Sequence, residues 1–97
     1  RLSEIIYVES KDKHTIIRTI DNYFECCRYM QEIEKMLPKD RFTRSHRSCI
    51  VSFLHIRNHD NKTIYFDNNE RVSISRRYLT DFKKAFQEYI VRYNTKD

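Results

Sequence analysis

The chain has 97 residues and no glycine, and proline occurs once, at Pro38. Nothing constrains its fold and chemistry more. Glycine is the residue that enters positive φ without penalty, so every tight turn here falls to Asn or Asp, which tolerate that region next best. Glycine-rich phosphate cradles and the GxSxG nucleophile turn are excluded at once. The single proline leaves long stretches free to form regular elements.

One domain over residues 1–97 is expected, with one modest core. The hydrophobic set is 39% and the aromatics 13%, all Tyr and Phe, which is enough apolar mass to fold around. No apolar run reaches the roughly 18–20 residues a membrane span needs, so no membrane contact is expected. The chain opens on Arg1, so a piece of a longer protein is expected.

Cys26, Cys27 and Cys49 make an odd count with two adjacent members, which is no disulfide framework. A reducing, cytoplasmic setting is expected. His46, Cys49, His55 and His59 form a loose cluster, but C-x2-C is missing and the His55–His59 interval carries no helix signature. The cysteines read as small buried hydrophobes, with no metal and no cofactor.

Hydrophobic period gives the elements. Glu4 to Glu9 is a short β-branched run, a buried strand, followed by a polar turn at Ser10–Lys13. His14 to Ile20 and Tyr23 to Cys27 form a hairpin around Asp21-Asn22. Met30, Ile33, Met36 and Leu37 lie on one helical face, and Pro38 stops that helix. Phe42 anchors the following basic stretch, and Ser48 to Ile56 is too apolar to be exposed throughout. After a turn over Asn58–Lys62, Thr63–Asp67 and Glu70–Ser75 form a second hairpin around Asp67-Asn68-Asn69. Ser75 then caps an amphipathic helix through Leu79, Phe82, Ala85, Phe86, Tyr89 and Ile90. Thr95-Lys96-Asp97 reads as a frayed end. The fold class is mainly β with short α-helices.

Nineteen Lys and Arg against fourteen Asp and Glu leave +5. The basic residues fall in three groups at loops and element ends: Lys11, Lys13, His14 and Arg18; Lys39, Arg41, Arg44 and Arg47; and Arg71, Arg76, Arg77, Lys83 and Lys84. Such side chains contact phosphates and, for Arg, pair bidentately with guanine. Charge by itself fits an acidic protein partner as well as a nucleic acid. Catalysis finds little support. His46 with Cys49 is the one base–nucleophile pair in view, no acidic orienter stands near it, and Glu32 and Glu34 occupy a solvated helix face.

The segment Arg41-Phe42-Thr43-Arg44-Ser45-His46-Arg47-Ser48-Cys49-Ile50-Val51 resembles the F-x-R-x-H-R-S-x-I-V-N stretch of the LytTR DNA-binding domain family. Ile5-Ile6-Tyr7-Val8-Glu9 is similar to the family's opening I-x-Y-I-E strand. Met30 to Pro38 resembles its helix ending in L-P, and Arg71 to Leu79 its closing V-x-[VI]-S-R-x-x-L. These segments span nearly the whole chain in order. Ser52 departs from the pattern where the family has Asn, and strand material usually found ahead of the first segment is nearly gone.

The resemblance implies an elongated fold of small antiparallel β-sheets and hairpins that reads duplex DNA with loops in successive major grooves. It implies a transcription regulator's output domain of the two-component response-regulator type. A receiver domain upstream and promoter direct repeats bound by two copies go with it. Three positions carry the reading: His14 with Lys13 beside it, Arg47, and Arg77, with Arg76 the rival for the third. Arg47 and Arg77 are expected on base edges. His14, an imidazole whose charge can change near neutrality, is expected on a base or a phosphate. Lys11, Lys13, Arg44, Ser48 and Ser75 are expected to hold phosphates. His46 either joins them or packs internally with its ring nitrogens on neighbouring backbone. The alternative is a basic protein–protein interaction module. Phe24, Tyr29 and Tyr93 are the candidates for a dimer surface.

Overall fold

The computed structural model describes residues 1–94, so the end at Thr95-Lys96-Asp97 lies outside the described residues. Eight strands and two helices follow in order: β1 (Ile5–Lys11), β2 (His14–Thr19), β3 (Tyr23–Cys26), α1 (Met30–Met36), β4 (Phe42–His46), β5 (Cys49–Ser52), β6 (Ile56–His59), β7 (Thr63–Phe66), β8 (Arg71–Ser73) and α2 (Arg76–Asn94). Every strand pairing is antiparallel. A five-stranded sheet has the order β3-β2-β1-β5-β4, and a three-stranded sheet the order β6-β7-β8. The molecule measures 41 × 29 × 26 Å, an elongated shape.

The apolar run at the start of the chain becomes β1, the central strand, buried on both faces. Alternating side chains of β1 and β5 feed two cores. Ile6, Tyr7, Cys49 and Val51 meet Phe53, Ile64, Phe66, Ile74 and Phe82, with α2 and the small sheet closing over them. Val8 and Ile50 point the other way, onto Met30 and Ile33 of α1, onto Leu37 just after it and onto Phe42. Phe42 is the anchor that the sequence suggested.

Helix α1 begins where the Glu32 carboxylate accepts the Tyr29 N–H, 3.1 Å. After Pro38, whose carbonyl accepts from Arg41 and Phe42, the chain turns into β4. Met36, placed on the apolar face by its spacing, is 64% exposed, and Leu37 takes the buried position instead. Among the described residues no helix is long and apolar enough to cross a membrane.

The turns depart from expectation in three places, one of them the turn expected over Asn58–Lys62, where β6 runs through His59 and leaves only residues 60–62. Strand β1 continues through Lys11, which pairs with His14, so the first turn is only Asp12-Lys13. Both have positive φ, 51° and 70°, the geometry of a two-residue hairpin without glycine. Lys13 therefore occupies a conformation the sequence reserved for Asn and Asp. In the second hairpin the turn is Ile20-Asp21, not Asp21-Asn22. Thr19 donates its N–H to the Asn22 carbonyl, and its hydroxyl meets Asn22 again, so no positive φ is needed. Asn69, φ 70°, behaves as expected between β7 and β8.

The Tyr7 hydroxyl donates to Glu70 Oε1 at 2.6 Å, joining the large sheet to the β7–β8 turn. Arg18 Nε lies 3.1 Å from the same oxygen, an ion pair whose N–H is not aimed at it. Burial and the Glu70 contact push the Tyr7 phenol from 10.0 up to about 12. The folded protein thus keeps a proton that the unfolded chain loses across that window, so stability falls as pH rises from about 10 to about 12. The buried Cys49 thiol acts in the same sense.

Tyr7→Phe is expected to lower stability near neutrality by about 1.5 kcal/mol, the low end for a hydrogen bond to a charged group, because Glu70 keeps Arg18. It also flattens the alkaline decline, as urea denaturation across the alkaline range will show. Lys13→Gly is expected to stabilise by about 0.5 kcal/mol. Relief of the left-handed conformation, about 1–2 kcal/mol, is partly offset by about 0.5–1 kcal/mol of extra chain entropy. A higher urea midpoint is the measure.

Candidate nucleic-acid interface

Strand pairing decides where the basic loops go. Glu9 of β1 pairs with Cys49 of β5, so the β1–β2 turn and the β4–β5 turn leave the same end of the large sheet. The Ser10 N–H donates to the Ser48 carbonyl at 2.9 Å and ties the two tips together. Lys11, Lys13 and His14 occupy the first tip, and Arg47 the second. All four are exposed. Lys13, Arg44 and Arg47 line one hollow of about 160 Å³ with Ser10, Thr15 and Gln31. Arg28 joins this end from β3, with its carbonyl accepting from the Thr15 hydroxyl at 2.7 Å.

The third basic group reaches the same end by a different bond. The Ser75 N–H donates to the Ser45 carbonyl at 2.8 Å. Ser45 is two residues from Arg47, and Ser75 two from Arg77. Helix α2 then runs back along β4 until Arg92 meets Asp40 at 3.5 Å. Its first residues, Arg76 and Arg77, thus stand at the tip end, both exposed. The Arg77 guanidinium lies 5.8 Å from the centre of the Tyr78 ring.

The expected site residues are not equally free. Arg44 donates from Nε to Glu34 Oε1 at 3.1 Å, with Nη2 in ion-pair contact with the same oxygen at 2.9 Å, and donates from Nη1 to the Arg47 carbonyl. Its side chain is 16% exposed. That guanidinium clamps α1 to the tip and fixes the backbone of Arg47. Glu34 is accordingly more than part of a solvated face. The sequence held no sign of this, because the partners are ten residues apart and meet only where α1 crosses the sheet. His14 Nδ1 lies 2.5 Å from Glu25 Oε2, across the β2–β3 ladder. Ser75 stands at the start of α2 and accepts the Tyr78 N–H on its carbonyl, 3.0 Å.

His46 is half-buried, with one ring nitrogen held inside its own turn. The Ser48 N–H donates to its Nδ1 at 3.2 Å, and the Ser48 hydroxyl lies 3.0 Å from the same atom. The accepting Nδ1 leaves the ring proton on Nε2. The Ser48 hydroxyl is thereby engaged in holding the turn.

Cys49 is 6% exposed, and burial pushes its thiol up to about 12. At neutral pH it carries no thiolate, so it is a core side chain and no nucleophile for His46 to activate. The loose His/Cys cluster does not assemble either. His55 is buried with Nε2 2.7 Å from the Ser3 carbonyl and Nδ1 3.3 Å from Asp67. His59 packs edge-on against Phe82 and Phe86. Among the described residues no three His, Cys, Asp or Glu side chains are grouped to hold a metal ion.

Comparison with known proteins agrees with this arrangement. Residues 1–87 match the family model of the LytTr DNA-binding domain. The sensory transduction protein LytT of Bacillus subtilis (strain 168) is 28% identical over 86 residues, which is 84% of this chain and 36% of that protein. The chain therefore spans about a third of the length of this curated relative. Among solved structures, one described as the LytTr DNA-binding domain of a methyl-accepting/DNA response regulator from Bacillus cereus superposes with a TM-score of 0.79 at 38% identity. The match covers 86% of this chain and 81% of that one. With its family segments in order and its basic tips at one end of the sheet, the chain belongs to the LytTr DNA-binding domain family.

Proposed function

We propose that this chain is the output domain of a cytoplasmic transcription regulator of the response-regulator type, and that it reads duplex sequence with loop side chains in successive major grooves. The observation that carries the reading is the convergence of three basic, exposed segments on one end of the molecule, held by the Ser10–Ser48 and Ser45–Ser75 backbone bonds. Loops held this way keep their side chains in register with a rigid scaffold.

Arg47 and Arg77 take base edges, with guanine the natural partner for a bidentate guanidinium. His14 reaches a base or phosphate from its place beside Glu25. Lys11, Lys13 and Ser75 hold phosphates and set the register. Arg44 positions Arg47 in place of touching DNA itself. Two copies on promoter direct repeats, and a receiver domain ahead of this chain in the full regulator, complete the proposal. The domain works without a cofactor and without catalysis.

Selection of bound duplexes from a random pool tests the reading. Wild-type chain is expected to enrich one motif, and Arg47→Ala or Arg77→Ala to lose about 1–3 kcal/mol and blur a single position. Lys11→Ala is expected to weaken all sequences alike and lower the salt slope by about one. Binding without enrichment that disappears as salt rises would leave a basic interaction module in its place.

A further inference from the structure

The β6–β7 turn carries a basic group that lies off the three reading positions. Asp60 Oδ1 accepts the N–H groups of Lys62 and Thr63 at 2.7 and 2.8 Å, and the Asp60 N–H donates to the Thr63 carbonyl. Those backbone bonds hold the carboxyl below its ordinary range. The carboxylate is therefore turned onto its own turn and is not an ion-pair partner for the lysines around it. The Lys62 carbonyl accepts the Ile74 N–H at 2.8 Å, one residue before the Ser75–Ser45 bond. One extended segment thus fixes this turn beside the start of α2 and the β4–β5 tip.

Helix periodicity sorts the arginines of α2. Lys83 donates to Asn61 Oδ1 at 3.4 Å, so the Lys83 face of the helix looks at the β6–β7 turn. Arg76 is seven residues earlier, two turns and about 10 Å up the same face. Arg77 is rotated about 100° from it, toward open solvent. Lys62, Arg76 and Lys83 are all exposed, and among the described residues none is in an ion pair.

We propose that Lys62, Arg76 and Lys83 form a phosphate clamp on the β6–β7 side of α2, with Asp60 as the positioning residue that holds Lys62 in place. The clamp rests on the duplex-binding reading and extends it. It grips the sugar–phosphate backbone flanking the bases read by Arg77, carries no sequence information, and separates the roles of the adjacent Arg76 and Arg77.

The test is binding of the 97-residue chain to a fluorescent duplex of about three helical turns, titrated against salt, with sequence selection run alongside. Lys62→Ala and Lys83→Ala are each expected to reduce the slope of log K against log salt by about 0.9 and to leave the enriched motif unchanged. Arg76→Ala is expected to do the same, whereas Arg77→Ala blurs one position. Asp60→Ala discriminates most sharply. As a mere negative charge beside DNA, its removal tightens binding, and as the residue that fixes Lys62, its removal weakens binding. Unchanged slopes for Lys62→Ala and Lys83→Ala, with Arg47→Ala still blurring its position, overturn the clamp and leave the base-reading proposal standing. Tighter binding by Asp60→Ala overturns the positioning role. Absence of duplex binding by the wild-type chain overturns both proposals together.

Discussion

The pairing of β1 with β5 is the interaction on which the rest of the molecule depends. Tyr7, Val8 and Glu9 face Val51, Ile50 and Cys49 in a short antiparallel ladder. Each of these strands is also half of a hairpin, β1 with β2 and β5 with β4. Joining the two hairpins through β1 and β5 fixes both of their tips at one end. A slip of one residue would turn Val8 and Ile50 away from α1 and expose the core. Burial on both faces therefore enforces the same register that aligns Lys13 and His14 with Arg47.

Charge distribution explains how a modest net +5 becomes a directed surface. The acids near basic groups are largely committed. Glu34 takes Arg44, Glu70 takes Tyr7 and Arg18, and Asp60 takes its own backbone. Lys11, Lys13, Arg47 and Arg77 are in no ion pair among the described residues. Exposed pairs such as Arg92 with Asp40 stabilise little, because water screens them. The useful consequence of the pairing is placement. Arg44 in particular trades reach for control over the backbone of Arg47.

Much of the fold was legible because its signals are local. The β-branched run of β1, the stripe through Leu79, Phe82 and Phe86, and the stop at Pro38 each follow from spacing along a few residues. The order of family-like segments located His14, Arg47 and Arg77, and the structure brings the three to one end. What stayed hidden depended on partners distant in sequence or on backbone energetics. Met36 and Leu37 are adjacent apolar residues, and only the direction in which the chain leaves α1 decides which is buried. The β2–β3 turn is set by the Thr19 hydroxyl, which replaces the positive φ expected of Asn22. Glu34 meets Arg44 only after helix and sheet have packed. The role of Asp60 in the β6–β7 turn stayed hidden because bonding to its own backbone leaves no trace in composition.

Lys13 joins the turn chemistry to the site. A lysine at φ 70° is held against a preference of about 1–2 kcal/mol, which glycine would relieve. The chain uses no glycine there or anywhere else. Glycine would relax the turn but present no side chain to the hollow that Lys13 shares with Arg44 and Arg47. On the duplex-binding reading, the tip must be both a two-residue turn and a cationic contact, and those demands conflict at a single position. The ladder at Lys11–His14 and the Ser10–Ser48 bond hold the unfavourable conformation from either side. Strain retained at one residue, with its support spread over the surrounding sheet, is the pattern expected where function selects the side chain and the scaffold supplies the stability.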